Sequence, residues 1–331
     1  MNHSQTEKHL HPSKSTPAAP RHLETTPGTV KRAAGKPSKP KTGAGKRPRK
    51  SLSFHRAAER RATMTGHGAA ATDVLEIDYS QPEVQIQLTA GGQTLLHGPL
   101  ATELMVDGKA VTARGDWKAV CPFGDEDGQY LELQLQITDK LRIDRQFFLS
   151  GDSHFVLIAD AVISEGSASR IQHRVSLPLP ANLKRKADVP TREWRLGPAR
   201  LFPLWLPQER VHSTQGDCVE QGDKLNLSYT VAGPGLYLPT VIDWNPSRRR
   251  PAADWCSLTV TEPARVVSPT GAAGHRLRIG SEQLVFYRGL ISTPEPRAML
   301  GIHTWHESLF GWFKPNGQLV TLMATDADKP A

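Results

Sequence analysis

The densest run of side chains able to do chemistry is HTWHESLFGWF at residues 303–313. His306-Glu307 opens like the zinc-binding HExxH, in which a second imidazole one helical turn later closes on the same metal. Position 310 is Phe, which excludes that motif. Read as a strand, the segment puts His303, Trp305 and Glu307 on one face and His306, Ser308 and Phe310 on the other. A wet face bearing Trp, His and Glu can stack on a sugar ring and hydrogen-bond its hydroxyls, so these three are the candidate glycan contacts. The alternative is an aromatic packed in an inter-sheet core with polar neighbours at its rim. The same choice between platform and core filler applies to the other tryptophans, at 117, 194, 205, 244, 255 and 312.

Cations form the second group of candidates. Lys184, Arg185 and Lys186 with Arg192, Arg195 and Arg200, and Arg248, Arg249 and Arg250, would suit an anionic polysaccharide or be solvated loop charge. Residues 1–71 hold 15 basic side chains against three acidic ones, a formal +12 that leaves −4 on the rest of the chain. Within that tract, KPSKPKTGAGKRPRK at 36–50, with Lys46, Arg47, Arg49 and Lys50 at its end, neutralises phosphates without reading sequence, as nucleic-acid-compacting tails do. The whole-chain pI near 9.5 therefore describes a tail and not a basic folded body.

Enzymatic signatures do not appear. There is no GxSxG elbow, no GxxxxGK[ST] and no GxGxxG after a strand. A lyase would need a group to neutralise a uronate carboxylate and a Tyr, His or Lys base. The five Tyr of the chain and the seven His beyond residue 71 show no spacing that pairs them. No catalytic residue, metal or cofactor is assigned from these patterns. Cys121, Cys218 and Cys256 are an odd number without CxxC spacing, which predicts neither a disulfide framework nor a zinc ribbon but buried small apolar side chains.

From Val74 onward the elements that must position these groups read as strands. Leu75, Ile77 and Tyr79 alternate with Glu76 and Asp78, and in YLELQLQIT Leu131, Leu133, Leu135 and Ile137 take one face. The pattern recurs at 141–149, 169–179, 224–231, 256–262, 275–280, 283–290 and 318–324, with turn signals such as Ala90-Gly91-Gly92 and Asp107-Gly108 between. No window sustains a helical apolar repeat for three turns. The expected fold is all-β, a large antiparallel β-sandwich over 73–326, or two abutting sandwiches dividing near residues 178–190.

Residues 1–72 are expected to be a disordered basic tail, with a marginal helix at 53–61, and 327–331 a disordered end. An alternative translation start at Met64 would remove that tail. No run of about 18 apolar residues and no secretory h-region occur, so a soluble cytoplasmic protein without membrane insertion is expected.

LRIDRQFFLSGDSHFVLIADAVISEGSASRIQHRVSLPLP at 141–180 resembles the β-sandwich that follows the α/α toroid in heparinase II/III-type polysaccharide lyases. There a strand containing Arg leads through a turn to an apolar strand ending in Asp, then to a strand that often carries His. Arg145, Asp160 and His173 hold those places here, and 283–323 is similar to the closing strands of lyase-associated β-sandwich proteins. The toroid that builds much of the lyase active site has no counterpart. Nor does the HxHxD-like motif that supplies a metal ligand, so of a His, Asp, His set only Asp160 and His173 remain, too few for a closed site.

Three functions follow as expectations. The first is a non-catalytic sandwich that binds an anionic polysaccharide or acts as a scaffold. The second is a nucleic-acid or polyanion binder acting through the tail, and the third a lyase acting by β-elimination.

Overall fold

The structure is a computed structural model and describes residues 54–113, 115–166, 170–188, 192–206 and 215–326. Lys46, Arg47, Arg49 and Lys50, and the end at 327–331, lie outside the described residues. Among the described residues every strand pairing is antiparallel, and the helical turns are three short 3-10 segments, Ala57–Glu59, Gly68–Ala70 and Pro246–Arg248. No helix is long and apolar enough to cross a membrane.

Four sheets make up the body. The outer sheet runs His55–Arg56, Arg61–Thr65, Val74–Asp78, Val84–Ala90, Gln93–Val106, Ile171–Pro178, Lys224–Val231 and Gly216–Gln221, with Lys109–Val111 added to the end of Gln93–Val106. The central sheet runs Arg185–Asp188, Glu193–Leu196, Ala199–Pro203, Gly235–Asp243, Phe155–Ser164, Leu141–Ser150, Gly128–Thr138 and Lys118–Gly124. The third sheet is Ala253–Leu258, Ala272–Ile279, Glu282–Gly289, His306–Phe313 and Leu319–Asp326. A small sheet joins Arg265–Val267, Val260–Glu262, Arg297–Met299 and Ile302–Thr304. Two-residue hairpins fall where the turn signals place them. Gly91 and Gly92, and Asp107 and Gly108, all have positive φ, as a type I′ turn requires.

The central sheet is buried on both faces. Val156, Ile158 and Val162 enter one core with the outer sheet, while Phe155, Leu157, Ala159, Ala161 and Ile163 enter a second core with the third sheet. Such strands lose the apolar/polar alternation and read as continuous apolar runs. Gly235–Asp243 and all of Phe155–Ser164 but its last residue are accordingly buried throughout.

The two abutting sandwiches expected to part near 178–190 are instead three layers sharing one sheet. Arg185–Asp188, Glu193–Leu196 and Ala199–Pro203 extend that shared sheet, and the third sheet begins only with Ala253–Leu258. The order of strands in a sheet is a long-range property that local patterning does not carry.

The tail boundary at residue 72 also moves. Folded chain is already present at Phe54, where a 3-10 turn takes the place of the expected helix, and Arg61–Thr65 pairs along its length with Val74–Asp78. Phe54, Ala62 and Met64 are buried in the first core. Their flanking charges gave RRATMT the composition of a tail, but alternation in a five-residue strand needs only two inward apolar side chains. A start at Met64 would cut this strand in half. Removing Phe54 alone, as Phe54→Ala, is expected to cost about 3 kcal/mol by cavity formation, and a chain starting at Met64 more, both measured by urea unfolding. The three cysteines are free and half-buried, less enclosed than expected.

His275 lies in the second core beside Tyr237, and burial pushes its imidazole down to about 4. The folded chain holds it neutral while the unfolded chain protonates it near 6.5, so its contribution falls as pH drops from about 6.5 to 4. The loss reaches about 3 kcal/mol. The stability difference between the native chain and His275→Gln should therefore change across that window and flatten above pH 7 in denaturant titrations.

Candidate functional site

Burying both faces of the central sheet encloses two polar clusters, one in each core. In the first, Arg145 and Asp160 are direct cross-strand partners facing the outer sheet. The Arg145 guanidinium forks onto Asp160, Nε to Oδ1 at 2.7 Å and Nη2 to Oδ2 at 2.8 Å. It also donates to the Leu100 carbonyl at 3.2 Å and Thr102 Oγ1 at 2.6 Å, and lies 4.7 Å from the Trp117 ring centre. From the outer sheet, His173 Nε2 meets Asp160 Oδ2 at 2.8 Å. Burial alone would raise the Asp160 carboxyl, but Arg145 and His173 outweigh it and hold the group well below the usual carboxylate range. These are the three residues that the resemblance singled out. Both carboxylate oxygens are committed, the guanidinium stands where a cation would bind, and the residues do not fit a metal site. The cluster ties two sheets together out of contact with solvent.

The second cluster faces the third sheet. Arg288 reaches across from Glu282–Gly289 and is surrounded by three carboxylates: Glu132 at 2.9 Å, Asp144 at 2.7 Å and Glu307 at 3.1 Å. Ser308 Oγ accepts from Arg288 at 2.7 Å and from Gln146 Nε2 at 2.8 Å. Gln146 also accepts the Tyr237 hydroxyl at 3.0 Å, and Tyr130 donates to Glu132. Burial and Glu132 push the Tyr130 hydroxyl far up, and burial does the same to Tyr237. Burial and Glu132 likewise raise the Cys121 thiol to about 11.

Glu307 differs from the other two carboxylates because it reaches solvent. Burial raises its carboxyl, the Glu132 and Asp144 charges add to that, and Arg288 offsets only part. Glu132, in contrast, is lowered on balance, because Arg288 and its hydrogen bonds outweigh the effect of its own burial. The register jumps from His306↔Asp326 to Ser308↔Thr325, so Glu307 is the extra residue of a β-bulge. That bulge lets two successive side chains, Glu307 and Ser308, both reach Arg288.

Glu307 opens onto a cleft of about 490 Å³ whose lining includes Arg142, Glu165, Tyr287, Arg297 and Trp305. Arg142 binds Asp144 at 3.2 Å and Glu165 at 3.5 Å. Arg297 binds Glu262 at 3.2 Å, the Ile291 carbonyl at 2.8 Å and the Tyr287 hydroxyl at 3.3 Å. Both guanidiniums are thus already engaged, and the lining carries the further carboxylates Glu165 and Glu295.

Trp305 is the exposed tryptophan of the seven, 66% accessible at the lip of this cleft. Five others are buried and Trp312 is half-buried, stacked under Arg248 at 5.2 Å. The expected common face of His303, Trp305 and Glu307 is only partly realised. Trp305 lies in a break between Ile302–Thr304, in the small sheet, and His306–Phe313, in the third. Alternation does not run through it. Trp305 and Glu307 come together in the cleft with His306, while His303 sits exposed opposite Ala298 in the small sheet and lines no part of it. Arg288, Glu132 and Asp144 were missed by sequence reasoning. Their signal was a charged residue at an inward position of an apolar strand, as in Arg288 within QLVFYRGL.

Comparison with known families and with curated proteins finds no match. Among solved structures, the heparan sulfate lyase HepC from Pedobacter heparinus matches at 9% identity and a TM-score of 0.43, over 71% of this chain and 42% of that one. A heparinase III matches at 10% identity and a TM-score of 0.46 over the same shares. The GH36 α-galactosidase AgaB from Geobacillus stearothermophilus matches at 9% and 0.32, over 57% and 40%. The chain spans about two fifths of the length of the solved structures it matches. It resembles the β-sandwich region of heparinase-like lyases in its all-β strand arrangement, and no residue role follows from that likeness.

Arg288 is the only cation that touches all three carboxylates of the second cluster among the described residues. Arg288→Met should therefore destabilise the chain by about 3–5 kcal/mol. Glu307→Gln removes a carboxyl that burial has raised and that reaches solvent, and should change stability by less than about 1 kcal/mol. Guanidinium unfolding of the two variants distinguishes these outcomes.

Proposed function

We propose that this β-domain binds carbohydrate without cleaving it, in the cleft lined by the third and small sheets and the end of the central sheet. The observation that carries the reading is Trp305, a large apolar ring held exposed at the lip of a polar cleft while the other tryptophans are used in packing. A protein does not leave an indole in water for stability's sake, whereas the apolar face of a pyranose packs well on one. Glu307, Glu165 and His306 supply acceptors and donors for hydroxyls.

The charge of the cleft favours an uncharged sugar over the anionic one expected from the sequence. Its two guanidiniums are already paired, and its carboxylates would repel uronates or sulfates. The non-catalytic part of the reading rests on Tyr287, the tyrosine of the cleft lining, not being free to act as a base. The Tyr287 hydroxyl is buried and bound by Arg297, and burial raises it.

Isothermal titration with neutral hexose and pentose oligosaccharides tests this. At least one should bind, and Trp305→Ala should weaken it by tenfold or more, about 1.4 kcal/mol. A silent neutral panel, or an unchanged affinity for Trp305→Ala, would overturn the reading. So would the release of reducing ends or unsaturated products from the bound sugar.

A further inference from the structure

A second surface carries charge of the opposite sign. Arg185–Asp188 is the edge strand of the central sheet, and Lys186 stands directly opposite Arg195 on Glu193–Leu196. Arg195 in turn stands opposite Arg200 on Ala199–Pro203. Three cations are thus in register across three neighbouring strands, where like charges directly opposite each other are destabilising. Among the described residues only Glu193 answers them, binding Arg195 at 2.8 Å and Arg200 at 2.5 Å, with Asp188 at the far end of the edge strand.

Further cations are fastened to the same place. The Arg195 guanidinium donates to the Arg249 carbonyl at 2.9 Å, which holds Arg249 and Arg250 beside the strands. The Lys184 carbonyl accepts the Gly197 amide at 2.7 Å, which holds Lys184 on the hairpin. Arg200 and Arg248 are buried structural cations, the latter bound to Asp243 at 2.7 Å and Glu282 at 3.0 Å. Lys184, Lys186, Arg249 and Arg250 are exposed and have no acidic partner among the described residues.

We infer that this strip, Lys184, Lys186, Arg195, Arg249 and Arg250, is a docking surface for an anionic polysaccharide. Neighbouring strands lie about 4.8 Å apart and alternate residues of one strand about 6.6 Å apart. Cations at those intervals can each meet a sulfate or carboxylate of an extended chain, and the arriving anions add countercharge to a row in which Glu193 neutralises only part of the charge. The exposed large apolar side chains, among them Trp305, Phe123 and Val266, belong to other strands and turns, so the strip offers no platform on which bases could stack. That favours a glycan over a single-stranded nucleic acid. The strip belongs to the central sheet and its adjoining turn and is independent of the cleft at Trp305.

The full-length chain is compared with Lys186→Glu/Arg249→Glu/Arg250→Glu by titration with a dextran sulfate fragment and an oligogalacturonate at several salt concentrations. The native chain should bind at least one of them. The triple variant should bind at least tenfold more weakly near physiological salt, with a salt slope shallower by about two to three, one for each lost contact. Trp305→Ala should bind as the native chain does. Unchanged affinity and slope in the triple variant would overturn the inference. So would duplex DNA of equal charge that binds as tightly and loses as much. Should charge reversal impair folding, Lys184→Gln/Lys186→Gln/Arg249→Gln/Arg250→Gln introduces no new charge and is held to the same outcome.

Discussion

Burial of both faces of the central sheet is the constraint from which the rest of the body follows. A strand in that sheet has no solvated side, so any polar side chain on it must find its partners inside the protein or leave an uncompensated charge in a medium that solvates it poorly. Arg145 and Asp160 meet that requirement on one face, with His173 reaching in from the outer sheet. Glu132, Asp144 and Gln146 meet it on the other by means of Arg288 and Ser308 from the third sheet. Each cluster therefore joins two layers, and the pairings select one alignment of the sheets where apolar contact alone would tolerate several.

The two clusters differ in charge balance, and the difference separates packing from chemistry. Around Asp160, one guanidinium and one imidazole answer one carboxylate, and the group is sealed. Around Arg288, three carboxylates meet that guanidinium and only Asp144 has a second one, Arg142, so the excess lies on Glu307, the member that a bulge carries to the floor of a cleft. A carboxyl that burial has raised, beside an exposed indole, is placed to hydrogen-bond a sugar hydroxyl. The same side chain is of little use to the stability of the core.

Charge on the outside is segregated as well. The cleft gathers carboxylates whose neighbouring cations are already committed, while the far edge of the central sheet gathers cations with few acids to answer them. A formal charge of −4 beyond residue 71 conceals this division, because a sum says nothing about which strands are neighbours. Two surfaces of opposite sign can hold different parts of a mixed polymer, or different polymers, without competing.

Strand class, antiparallel pairing and the tight hairpins were legible from period-two alternation and from Gly-rich turns, since both depend on a few adjacent residues. Arg145, Asp160 and His173 could be named only through a family resemblance, and their closure into a sealed ion pair was not legible. Trp305 and Glu307 could be named from their types, but their companionship could not. It depends on a break between two sheets at Trp305 and a bulge at Glu307, and His303 was lost from the group for the same reason. Sharing of the central sheet, the entry of Phe54 and Met64 into its first core, and the row from Lys186 to Arg200 all arise from pairings between strands distant in sequence. Local patterning carries which face of a strand is apolar; which sheet covers that face, and which charges then become neighbours, is set only when the layers close.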